Sequence, residues 1–151
     1  MPKDPYLRAR GRVLVDYGLR YMHEPYWALR GEMLKKESER DQTVIDEKRQ
    51  ELRHLMQYLE DALSGKPYFL GDLSLTDIDL LARFFRFEDY GALPDPSLPW
   101  LNGWLQKMKQ RPSVKPANRH QMLNPDPSEG EIYDWSKSAL QHHRSHHRER
   151  S

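Results

Sequence analysis

The sequence contains no cysteine in its 151 residues. Disulfides, thiolate zinc sites and a cysteine nucleophile are therefore excluded within it. β-Branched aliphatic residues are scarce: valine and isoleucine together occur 7 times, against 20 leucines. Leucine enters a helix at little entropic cost, whereas strands favour the β-branched types. No period-two run of strand length and no internal repeat is found in it. No apolar run approaches the roughly 20 residues of a membrane-spanning helix. The opening MPKDPYLRAR lacks the apolar core of a secretory signal. An excess of one charge is missing too, since 24 basic and 23 acidic residues leave a net charge of +1. No general basic field therefore draws the chain to nucleic acid. The expectation is a cytoplasmic, all-α helical bundle with neither nucleic acid nor membrane as partner.

Apolar residues make up 37% of the chain, and they are unevenly spread. Only 8 of the 35 residues in 117–151 are apolar. The chain thus divides into a folded helical body, residues 1–116, and a polar tail, residues 117–151.

Helical periodicity sets out the body. Asp4 is placed to cap a helix with Pro5 at its first position. Val13, Tyr17 and Tyr21 recur at steps of four with Leu14 beside them, and Tyr26, Leu29 and Met33 resume the spacing after Pro25. The pattern predicts one long helix from Tyr6 to Leu34, kinked at Pro25. Lys35–Gln42 is charged and carries no apolar stripe. A strongly amphipathic helix follows from Thr43, with Ile45, Leu52, Leu55, Met56, Leu59 and Leu63 on its stripe and Gly65 as terminator. Ser74 and Asp77 form an S-x-x-D capping pair, with Leu73 and Ile78 spaced as a hydrophobic staple. The helix after them, Ile78–Phe87, is apolar on most sides and is expected to be central. YGALPDPSLP reads as a loop. A last body helix runs from Pro99 to Arg111, with Trp100 and Trp104 packed in the bundle. In the tail, Ile132, Trp135 and Leu140 would let one short helix dock. His142/His146 and His143/His147 have i,i+4 spacing, which suits a transition metal on a helix. A solvated, weakly metal-binding end is the preferred reading, and no metal site is assigned.

Three blocks, in this order, resemble the C-terminal helical domain of cytosolic glutathione transferases, the bacterial branch in particular. PKDPYLRAR resembles that family's interdomain linker and first helix start. FLGDLSLTDIDL resembles its capping signature, with Thr76 where alanine is common. PWLNGWLQKMKQRPSVK resembles its tryptophan-containing last motif. The resemblance covers residues 2–116.

The family has two domains, and no thioredoxin-like sheet-and-helix half is found in this sequence. That half carries most glutathione-binding groups, including the residue that stabilises the thiolate, so the resemblance assigns no catalytic residue here. Met1 stands where the family linker would be. The chain then reads as a fragment or a product of an internal start codon, with a single-domain protein as the other explanation. By resemblance the helical half supplies the pocket for a hydrophobic electrophile, and Tyr17, Arg20, Tyr21 and His23 (or Glu24) are its candidate residues. Core packing of the tyrosines, and a plain surface position for His23, are the competing readings. Glutathione is implied as co-substrate only with the thioredoxin-like domain present. A homodimer through the first two helices, or a thioredoxin-like partner, is implied likewise. The alternative is a non-catalytic protein-interaction module whose uncovered first-helix face binds a partner.

Overall fold

The computed structural model describes residues 2–114. The expectations for Trp135, for the short docking helix and for the histidine-rich end fall outside them. Among the described residues five α-helices are present: α1 Pro5–Arg20, α2 His23–Met33, α3 Gln42–Leu63, α4 Leu75–Asp89 and α5 Pro99–Lys109. A 3₁₀ turn, Glu37–Glu39, occupies the charged stretch between α2 and α3. Strand pairing among the described residues is limited to an isolated bridge between Leu70 and Asp72. No described helix is long and apolar enough to cross a membrane.

The Asp4 carboxylate accepts from the Leu7 N–H at 3.0 Å, and Pro5 opens α1. The expected single kinked helix is instead two helices. Pro25 has no N–H, and in a continuous helix its ring would press on the carbonyl of Tyr21. The chain breaks at Tyr21–Met22, and Pro25 falls in the first turn of α2, where a missing donor is harmless. The buried stripe of α1 also differs from the expected one. It runs through Gly11, Leu14 and Gly18, while Val13 and Tyr21 are 56% and 58% exposed. Gly11 lies against Thr76, and Gly18, seven residues on, lies against Arg83, seven residues on in α4. α1 and α4 therefore run in the same direction, with glycines letting the axes approach.

α3 forms the spine. Asp41 caps it through the N–H groups of Thr43 and Val44, at 2.9 and 3.3 Å. Ile45, Leu52, Met56, Leu59 and Leu63 are buried against α2 and α5. The helix ends at the expected glycine: Ser64 is the cap, in the left-handed conformation (φ 47°), and Gly65 just past it continues that conformation (φ 75°). Arg49 and Arg53 of α3 donate to the carbonyls of Tyr90, Leu93 and Gly91, which ties the loop before α5 to the spine.

α4 buries Leu80, Leu81, Phe84 and Phe87. It is not enclosed on all sides: Leu75 and Ile78 are 56% and 52% exposed, because nothing among the described residues covers its N-terminal outer face. Trp104 is buried against Phe69 and Phe84, at ring separations of 5.0 and 5.6 Å. Trp100 was expected in the bundle but is 48% exposed, since α5 starts at the surface beside Gly65.

Two helix glycines give a prediction of opposite sign. At Gly103 of α5 an added Cβ meets nothing within 4 Å, so Gly103→Ala is expected to stabilise the fold by about 0.5–1 kcal/mol. At Gly11 the same Cβ falls 2.7 Å from the Thr76 hydroxyl and 3.0 Å from a Leu70 methyl. Overpacking there outweighs the helix-propensity gain, and Gly11→Ala is expected to destabilise. Urea midpoints of the two variants check the sign.

Candidate functional site

Several hollows adjoin α1 and α2 among the described residues. One is a groove of about 660 Å³ between α1 and the start of α4. Val15, Leu19 and Leu75 give its apolar surface, and Arg8, Arg12 and Arg20 its positive charge. Leu70 and Thr76 form part of the same wall, where Gly11 lets the helices close. Asp79 at the groove pairs with Arg83 one turn on, at 3.0 and 3.4 Å. Arg83 in turn lines a small cleft of about 70 Å³ that also takes in His23, Tyr26 and Trp27. The Asp79–Arg83 pair thus joins groove and cleft along one face of α4.

A third hollow, about 490 Å³, lies on the other side of α1 and is lined by Tyr17, Arg20, Tyr21 and Tyr58. Tyr17 is the centre of a ring cluster, 4.2 Å from Tyr58 and 5.1 Å from Tyr21. Its hydroxyl donates to the Leu55 carbonyl at 2.9 Å. Burial, and then the neighbouring tyrosines, push this hydroxyl above the ordinary tyrosine range. It stays protonated at neutral pH, and its proton is engaged with α3 rather than offered to a ligand. Arg20 pairs with Asp16 at 2.7 Å, but both are largely exposed and the pair contributes little to stability.

The four sequence-based candidates do not converge. Tyr17, Arg20 and Tyr21 share the tyrosine hollow, while His23 sits in the cleft with Trp27, 5.7 Å between ring centroids. Arg20 alone of the four also reaches the α1–α4 groove. The groove residues Arg8, Arg12, Val15 and Leu19 were missed, although they recur at helical spacing and form a second stripe on α1. Leu75, Asp79, Arg83 and Arg86 carry no signal in sequence, since only packing reveals which side of α4 stays open.

Two buried carboxylates fix the starts of α4 and α5. Asp77 is fully buried; its Oδ2 accepts from the Ser74 N–H (2.9 Å) and Ser74 hydroxyl (2.8 Å). Its Oδ1 accepts from the Phe69 N–H (3.1 Å) and the Trp104 indole N–H (3.0 Å). With the reciprocal bond from its own N–H to Ser74, this closes a capping box at the start of α4. Glu60 of α3, 5% exposed, accepts from the N–H groups of Trp100 and Leu101 at 3.1 and 2.6 Å. It caps α5 from another helix, because Leu98 at the cap position makes no side-chain bond. Among the described residues, no group of three histidines or carboxylates is placed to hold a metal ion.

The profile of the family described as "Glutathione S-transferase, C-terminal domain" matches residues 19–112. The chain belongs to that family. Glutathione S-transferase U19 of Arabidopsis thaliana is 32% identical over 122 residues, which is 76% of this chain and 51% of the relative. Glutathione S-transferase 3 of Glycine max is 29% identical over the same shares. This chain spans about half the length of these curated relatives. Among solved structures, the theta class glutathione S-transferase of Xanthomonas axonopodis pv. citri, with glutathione bound, superposes with a TM-score of 0.66 at 25% identity. The match takes in 76% of this chain and 61% of that one. A glutathione S-transferase from Sinorhizobium meliloti 1021 gives 0.62 at 25% identity, over 77% of this chain and 55% of that one.

Proposed function

We propose that the chain is the helical half of a glutathione transferase-like enzyme, supplying the pocket for a hydrophobic electrophile and contacts between subunits. The α1–α4 groove carries this reading. It is apolar, with Arg8 and Arg12 beside the paired Arg20 and Asp16 and with Asp79 at its edge, and nothing among the described residues covers it. A thioredoxin-like domain seated there would bring glutathione to the groove, with Arg8, Arg12 and Arg20 facing its charge. The helical half then orients the electrophile and excludes water, which are contributions of position rather than of bond-making. The tyrosine hollow, where Tyr21 and Tyr58 are 58% and 42% exposed, is assigned to contact with a second subunit. His23 belongs to the electrophile side.

Activation of a thiol needs a positioned donor or a positive group at the sulfur. On this reading that group lies in the thioredoxin-like half. The purified chain alone is expected to leave the reaction of glutathione with chlorodinitrobenzene at its uncatalysed rate. Saturable turnover by the chain alone would overturn the assignment.

A further inference from the structure

The small cleft differs in chemistry from the groove it adjoins. Trp27, Tyr26 and Phe87 supply aromatic walls, with Tyr26 5.7 Å from each of the other two rings. Trp27 remains 46% exposed, so its ring is open to a ligand. Arg83 and Arg86 supply guanidinium groups, and no aspartate or glutamate is among the described residues that line the cleft. Asp79 holds Arg83 by two of its N–H groups, which leaves the others of its five donors available. Asp89 acts on the Tyr26 hydroxyl but does not line the cleft. Arg30 lies over the Trp27 ring at 5.0 Å and adds to the positive field. At about 70 Å³ the cleft has room for a small polar head, not for a fused ring system.

An anionic head on an aromatic body fits this combination. Two guanidiniums match the planar or tetrahedral oxygens of a carboxylate or sulfonate through paired N–H bonds. The exposed indole offers the ring a stacking surface outside the cleft. A neutral arene would make no use of the guanidinium donors that face the cleft, and a free inorganic anion would leave the aromatic wall unused.

We propose that this cleft selects aromatic electrophiles that bear a carboxylate or sulfonate, with Arg83 and Arg86 holding the anion and Trp27 the ring. The proposal rests on the reading of this domain as the electrophile half and names its substrate class. It is tested on the full 151-residue chain, labelled with ¹⁵N and titrated with naphthalenesulfonate or with neutral naphthylmethanol. The expected result is a saturable shift of the Trp27 indole N–H resonance, identified through Trp27→Phe. Affinity for the sulfonate should exceed that for the alcohol by roughly tenfold. Arg86→Gln, at an exposed position, should remove most of that preference, and Arg86→Lys only part of it. Lys36→Gln, on the exposed turn after α2 and lining none of the hollows, should leave it intact. Equal affinity for the two probes, an unmoved Trp27 resonance, or the same loss in Lys36→Gln would overturn the proposal. Binding is read without glutathione or turnover, so this result stands or falls separately from the transferase assay.

Discussion

Asp77→Ala is expected to destabilise the helical body by about 2–6 kcal/mol, the sum for two buried donors left unpaired. The carboxylate is fully buried and receives bonds from Phe69, from Ser74 twice and from Trp104. Its loss strands the Phe69 amide and the Trp104 indole in places water does not reach, at about 1–3 kcal/mol for each buried donor left unpaired. A domain of this size has only about 5–15 kcal/mol in total, so the variant should unfold at a much lower urea concentration. Asp77→Asn should fall between, because one oxygen is kept while the new NH₂ faces existing donors. Trp104→Phe removes one donor and should lose less than Asp77→Ala. The double variant should lose less than the sum of the two, since the pair is directly bonded. The consequence for the site is positional: Leu70, Leu75 and Thr76 of the groove wall flank the segment this carboxylate fixes.

Glu60→Ala is expected to cost about 2–4 kcal/mol, the next largest effect. α5 begins with Pro99, and the N–H groups of Trp100 and Leu101 find their acceptor in the Glu60 carboxylate. A carboxylate there also meets the positive end of the α5 dipole. Removing it unpairs two amides and opens a hole beside Leu101, which is fully buried. Glu60→Gln retains one acceptor oxygen and the volume, so it should lose about half as much. Equal stability of Glu60→Ala and the parent in chemical denaturation would show that water replaces the carboxylate at no cost.

The all-helical class was legible because it rests on quantities a sequence carries openly, a leucine-rich composition and helical spacing of apolar side chains. Ser74 and Asp77 lie within one turn, and a pattern that short is visible without a fold. The other donors to Asp77 are different. Trp104 comes from 27 residues away, and the amides capped by Glu60 from 40 and 41. Nothing local in the sequence announces such pairs. The buried face of α1 was misread for a related reason. Periodicity counts apolar side chains, so Val13, Tyr17 and Tyr21 drew attention. Gly11 and Gly18 carry no side chain, yet they make the close contact with α4. The break at Tyr21–Met22 was read as a kink because the spacing of apolar residues resumes in phase beyond it. Of the site, Arg20 and His23 were in view, but packing put them in different hollows.

The central claim is that the α1–α4 groove is covered, in the working protein, by a thioredoxin-like domain. Native mass spectrometry of the protein drawn from its own host tests this most directly. The expected result is a species heavier than the 151-residue chain by at least one domain whose peptides are thioredoxin-like, either in the same polypeptide or bound to it. A native species that consists of this chain only, as monomer or homo-oligomer with the groove still reactive to solvent labels, would contradict it.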